Sequence, residues 1–293
     1  MRPRGGYIGF NRVPAASGLN SAASGVWTPR EAEALRRAGT WPVSFVNPLS
    51  ISGSQLWLDA SDASTLYDQT SGGSLVAADG GVARWEDKSG NGRHATQGTA
   101  GSRPARRSSV VNSLDAIDFD GSNDGLSVNA LASIFNGVNK PFTVIAIAKT
   151  DVTNSGQDIL SAGNSGNDDE NVRCLWNNGS QKAGIAREGL EGQGTKSVTG
   201  GTSLGTTARV VSFVFNASTG TVFVNGSSDS SATDLTQGSS LPLNVVAVGF
   251  LPRANPAVYF NGYICELILY NSALSDTDRA AVEAYLLGKW GIA

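Results

Sequence analysis

Carboxylates, one histidine and two cysteines bound the chemistry open to this chain. A retaining glycosidase needs two carboxyl groups about 5 Å apart, and an acid-x-acid pattern on a strand puts both on one face. The nearest such pattern is Asp118-Phe119-Asp120, at the close of a strand-like run, where a structural turn is the ordinary reading. Asp168-Asp169-Glu170 lies among Gly and Asn and reads as a solvated loop tip. A Ser-His-Asp triad would have to use His94, the single histidine, whose Gly-rich loop holds no Gly-x-Ser-x-Gly nucleophile elbow. Gly90 and Gly92 lack the strand–helix context and the lysine of a phosphate loop. An EF-hand begun at Asp118 lacks its glycine and its distal Glu, and one begun at Asp120 lacks the distal Glu. Cys174 and Cys265 form no CxxC pair and are expected to be two buried thiols. No catalytic residue is assigned, and the chain is expected not to be an enzyme. Trp176, beside Asn177-Asn178-Gly179, is the one candidate sugar-stacking surface, a core tryptophan being the ordinary reading.

Such residues need a body to position them. Of 293 residues 36 are Gly, 16% are charged and 40% are hydrophobic, which is apolar enough for a core and too weakly charged for general disorder. A net charge of −3 gives no global pull on nucleic acid. No apolar run reaches the roughly 18 residues of a spanning helix. The basic start Met1-Arg2-Pro3-Arg4 is not followed by the apolar stretch of a signal peptide.

The body alternates with period two. Phe142, Val144, Ala146 and Ala148 share one face of a strand whose other face, Ile145 and Ile147, is also apolar, so this strand should be buried on both sides. Further strands are expected at 210–215, 221–224, 245–250 and 264–270, with Asn225-Gly226 as a hairpin turn. A closing helix is expected from Ser275 as N-cap, with Asp276 and Asp278 in its first turn and Gly288 as its stop. Ala281, Val282 and Tyr285 would face the body, with 289–292 tucked back against it. The composite is all-β, an antiparallel sandwich or jelly roll with a C-terminal helix.

Residues 1–46 stand apart, with six arginines against two glutamates. A short helix is predicted from the N-cap Thr28 through Pro29 and Glu31 to Gly39, with Trp41-Pro42 beyond. It is too short to be stable alone, so this extended arm should gain order on a partner through Trp27, Arg30, Leu35, Arg36, Arg37 and Trp41. Arg84, Lys88, Arg93, Arg103, Arg106 and Arg107 form a second basic stretch against Glu86 and Asp87. Without interleaved aromatics it is a poor nucleic-acid signal, leaving a solvated loop or a patch facing an acidic neighbour.

Two resemblances follow from these residues. Gly5-Gly6-Tyr7-Ile8-Gly9, Ala23-Ser24-Gly25-Val26-Trp27, the Arg30–Arg37 helix and Gly39-Thr40-Trp41-Pro42 together resemble the N-termini of tailed-phage, notably cyanophage, structural proteins. Trp85-Glu86-Asp87-Lys88-Ser89-Gly90-Asn91-Gly92, Phe119-Asp120-Gly121, Val222–Gly226 and Gly262–Asn271 resemble laminin-G-like, concanavalin A-like domains. The second resemblance implies a concanavalin A-like sandwich over 47–293. It also implies a calcium site at the matching residues Asp87, Asn91 and Glu266, although Cys265 stands where members with a full site often carry a second acid, and the ordinary reading of Asp87 is that it fixes the loop by bonding backbone N–H groups at 89–91. The first implies a virion protein, assembled in the host cytoplasm, whose arm docks on phage capsid or tail proteins while the sandwich projects as a decoration, fibre or adhesion module. A symmetric homo-oligomer is expected there, with neither nucleic acid nor membrane insertion. The alternatives are a lectin-like receptor-binding protein for host surface glycans and, behind it, a glycan depolymerase, for which the E-x-D-x-x-E signature is missing.

Overall fold

The computed structural model describes residues 46–189, 194–238 and 241–292, together with Arg30 and Glu33. Alternating hydrophobicity becomes two antiparallel nine-stranded sheets. The longer strands, in chain order, are β1 (Ser54–Asp59), β2 (Ala105–Val111), β3 (Leu114–Asp120), β4 (Phe142–Thr150), β5 (Gly156–Gly163), β6 (Asn171–Asn178), β7 (Gly184–Glu188), β8 (Thr195–Thr199), β9 (Arg209–Phe215), β10 (Thr219–Val224), β11 (Val245–Val248) and β12 (Asn261–Tyr270). The helices are a single turn, α1 (Ala132–Phe135), and α2 (Asp276–Trp290).

In the first sheet the order runs β10, β9, β4, β12, β3, β2. β1 lies on the same side of β12 as β3, pairing Asp59 with Glu266 while β3 pairs Asp120 with Asn261. The second sheet runs β8, β7, β6, β5, β11 and then the short strands Leu126–Ser127, Ala95–Thr96, Arg84–Trp85 and Leu66–Tyr67. Among the described residues no helix is long and apolar enough to cross a membrane.

The main core fills the space between the sheets, and a second apolar cluster lies between the first sheet and α2. β4 serves both, as its sequence predicts. Phe142, Val144, Ala146 and Ala148 enter the core, and Ile145 and Ile147 the cluster under the helix. The hairpin turn also forms as read, Asn225 and Gly226 both taking positive φ of 47° and 83°, the pair of angles a two-residue turn of this hand requires.

Ser275 caps α2 by accepting the Asp278 N–H at 3.1 Å, and Val282, Tyr285, Leu286 and Trp290 face the sheet. The predicted stop at Gly288 is corrected: the helix runs on to Trp290 and ends at Gly291 in the left-handed region, φ 61°. Lys289 and Trp290 are buried there, and those tertiary contacts outweigh the roughly 1 kcal/mol penalty of an interior glycine.

The described body begins against this helical layer. Val46 and Ile51 pack on the second cluster, and the Tyr270 hydroxyl donates to the Pro48 carbonyl at 3.0 Å. Of the six residues expected to anchor the arm, only Arg30, helical and exposed, is described; Trp27, Leu35, Arg36, Arg37 and Trp41 lie outside the described residues.

Candidate functional site

The loop matched to the calcium-binding pattern is a staple between β1 and the Arg84–Trp85 hairpin. Asp87 accepts the N–H groups of Trp57 (3.0 Å) and Ser89 (2.8 Å) on Oδ1, and those of Arg93 (3.1 Å) and the Ser89 hydroxyl (2.7 Å) on Oδ2. His94 Nδ1 accepts the Asp87 N–H at 3.1 Å. The Asn91 amide donates to the Ser54 carbonyl at 3.1 Å and the Ser89 hydroxyl at 2.9 Å. Both carboxylate oxygens are thus spent on loop and strand donors, the ordinary work of an Asx turn.

Glu266 sits elsewhere, wholly buried under α2. Its carboxylate accepts from the Trp57 indole (2.7 Å), the Trp290 indole (2.8 Å), Lys289 Nζ (2.7 Å) and the Tyr285 hydroxyl (3.2 Å). Lys289 also reaches Asp59 Oδ1 at 2.6 Å. Asp59 in turn receives Lys88 Nζ at 2.9 Å and the Ser61 N–H and hydroxyl. Burial, with Asp59 close by, pushes the Glu266 carboxyl up. Burial also works to raise Asp59, but Lys289, Ser61 and Lys88 hold it below the usual carboxylate range.

Asp87, Asn91 and Glu266 therefore do not fit a calcium ion. Donors, not open oxygens, surround each carboxylate, and among the described residues no three Asp, Glu, His or Cys side chains gather as a metal-binding group.

Trp176 is corrected as well. It is fully buried, edge-on to Phe260 with ring centroids 6.4 Å apart, so no sugar can stack on it. Its place on β6 alternates inward with Val172 and Cys174. The two cysteines are free and buried, as read from their spacing.

Four of the six cations of the basic stretch are paired with carboxylates. Arg84 pairs with Glu86, Lys88 with Asp59 and Asp62, Arg106 with Asp115, and Arg107 with Asp79 and Asp118. Asp120 closes its own loop by accepting the N–H groups of Ser122, Asn123 and Asp124. Asp168 ties down the facing turn through the Asn255 N–H and side-chain amide.

What remains is the outer face of the second sheet. One cross-strand row crosses all nine strands: Ser197, Ala186, Arg173, Ser161, Ala247, Ser127, Thr96, Arg84 and Tyr67. Small and hydroxyl side chains make up most of it, between two arginines. Arg173 grips the fully buried Asp158 with two bonds of 2.8 Å, and Ser161 donates to the same carboxylate at 2.7 Å. Arg84 lies over the Tyr67 ring, 4.1 Å from its centroid.

The turn after β11 folds back toward this face. A Cβ on Gly163 would stand 1.7 Å from the Pro252 carbonyl oxygen, and Ser161 and Ala247 are buried. Ser197 on the β8 flank is exposed, and Thr96 and Tyr67 on the other flank are half-buried. Sequence reading missed this row. Its one legible signal was the polar Asn171 and Arg173 alternating with apolar Val172, Cys174 and Trp176.

A family model described as the concanavalin A-like lectin/glucanases superfamily matches residues 120–278, more than half of the chain. No curated protein matches it. Among solved structures, the CBM40 of the Ruminococcus gnavus IT-sialidase bound to alpha2,3 sialyllactose is similar at a TM-score of 0.50 and 20% identity, over 57% of this chain and 95% of that one. Trypanosoma rangeli sialidase in complex with sialic acid is similar at 0.53 and 15% identity, over 94% of this chain but only 36% of the sialidase. At these identities the likeness is one of fold.

Proposed function

This chain belongs to the concanavalin A-like lectin/glucanases superfamily, and from that premise we propose that it is a non-catalytic, lectin-like module that binds surface glycans. The accessible members of the row, Ser197 and Arg173 on one side and Ser127, Thr96 and Tyr67 on the other, carry this reading. Small and hydroxyl side chains let a sugar ring approach the sheet, and polar groups fixed on rigid strands can orient its hydroxyls. The ligands of the two structures of similar fold, sialyllactose and sialic acid, support the ligand class only. Binding is favoured over hydrolysis because the acids that sequence offered for catalysis, Asp118 and Asp120, are committed to Arg107 and to the 120–124 loop.

The finer part of the proposal is a tailed-phage virion protein in which residues 1–46 attach to capsid or tail protein and the sandwich is displayed. It rests on the resemblance carried by residues 5–42. Val46 and Ile51, which follow this segment, pack on the helical layer of the first sheet, away from the second-sheet row.

A glycan array with the full chain tests the binding reading. Capture of a host-surface glycan that Ser197→Trp abolishes supports it. No binding, or binding indifferent to that bulk, removes it. Polysaccharide turnover lost on Asp118→Asn or Asp120→Asn would replace it with hydrolysis. Deleting residues 1–46 should leave a folded body that no longer joins particles, and normal incorporation would refute the anchoring role.

A further inference from the structure

The cluster beneath α2 holds an amine, a carboxyl acceptor and a second carboxyl group in contact, shut away from water. We propose that Lys289 Nζ and Asp59 Cγ become joined in an intramolecular isopeptide bond, with Glu266 as the catalytic residue that carries the proton.

The geometry is that of a reaction waiting on loss of water. Lys289 Nζ stands 2.6 Å from Asp59 Oδ1 and 2.7 Å from Glu266 Oε2. The side chains of the three are 7%, 5% and 0% exposed. Trp57, Tyr285 and Trp290 point their polar hydrogens at Glu266 and wall the site with their rings. In open water an ammonium and a carboxylate stay apart as solvated ions. Enclosure removes that solvation, and a fixed approach replaces a chance encounter.

The balance needs no outside reagent. Lys289 gives one proton to Glu266, whose burial has already raised its hold on a proton; Glu266 passes it to Asp59 Oδ1, and the freed amine attacks Cγ of the now neutral carboxyl. The oxyanion forms on Oδ2, where Lys88 Nζ lies at 2.9 Å to stabilise it. Oδ1, already carrying one proton, then departs as water with a second that Glu266 relays from Nζ. One N–C bond forms, one C–O bond breaks, and an ammonium–carboxylate pair becomes a neutral amide plus water. Glu266 ends as it began. The product is a covalent tie from β1 to the last turn of α2.

The test is the intact mass of the full purified chain under denaturing conditions, followed by peptide mapping. The expected result is a mass lower than the sequence requires by one water, with Asp59 and Lys289 recovered in a single branched peptide. Lys289→Arg, which keeps the charge but leaves no primary amine, should restore the full mass, as should Glu266→Gln if it folds. Wild-type chain at full mass with the two residues in separate peptides overturns the proposal. So does a water loss that persists in Lys289→Arg.

Discussion

The Arg173–Asp158 pair offers a direct test of how the candidate face is held. Asp158 is fully buried, and its carboxylate is described with three donors, two N–H groups of Arg173 at 2.8 Å and the Ser161 hydroxyl at 2.7 Å. Arg173→Met keeps the stem and removes the guanidinium, leaving a buried carboxylate with one donor. Breaking an enclosed pair from one side costs about 3–5 kcal/mol. The Arg173 side chain is itself 20% exposed, so water can reach the gap and the lower end, about 3 kcal/mol, is expected. For a body of this size that is a fall in Tm of roughly 6–12 °C.

The reverse variant should be milder. Asp158→Asn leaves an arginine that can turn to solvent, for about 1–2 kcal/mol. The double variant should recover more than half of the Arg173→Met loss, since neither charge is then stranded. Urea unfolding of the four proteins, with unchanged m-values, yields the coupling energy directly. An Arg173→Met loss below about 1 kcal/mol would refute the reasoning, because exposed ion pairs contribute no more than that. So would a double variant no better than Arg173→Met.

Three further outcomes are expected. Trp176→Ala should cost about 3–5 kcal/mol by opening a core cavity, while Trp176→Phe, which also removes an unpartnered indole N–H, should cost much less; equal losses in denaturant melts would contradict a packing role. Gly163→Ala drives a methyl into the Pro252 carbonyl and should destabilise by about 1–3 kcal/mol, with faster hydrogen exchange in the turn after β11; an unchanged melt would show that the turn does not bear on the sheet. Burial, with Asp120 nearby, raises the Asp124 carboxyl to about 6, so its contribution to stability is present in acid and lost as pH rises through that value. Asp124→Asn should therefore stabilise above that pH by about 1 kcal/mol, discounted because the group is partly solvated, and change little in acid. A gain that is the same at all pH values would sink that account.

The strands declared themselves where one periodicity dominated. β4 could be read on both faces because each position asks for an apolar neighbour, and Asn225-Gly226 because few residue pairs accept that turn. The end of α2 could not be read, since glycine at 288 signals a stop only while Lys289 and Trp290 are assumed free. The loop at Asp87 was legible together with its ordinary use, holding backbone N–H groups such as that of Ser89, whereas the motif alone could not decide it, because a carboxylate that holds backbone N–H groups and one that holds a cation look alike in sequence. Glu266 misled for the related reason that its partners come from β1 and α2. One of its strand neighbours across the sheet, Asp59, lies more than two hundred positions away. The row on the second sheet was hidden by its plainness, since Ser, Ala and Thr mark no motif until nine strands align them.

The seating of β1 against the middle of β12 also fixes how the body would bear load. A pull on the chain ahead of residue 46 enters along β1, whose residues from Leu56 to Asp59 pair in sequence with Leu269 to Glu266. The force then runs along the strand, and those backbone bonds share it at once rather than parting singly as in a peeled hairpin. A ligand held on the second sheet would draw on this shear-loaded seam.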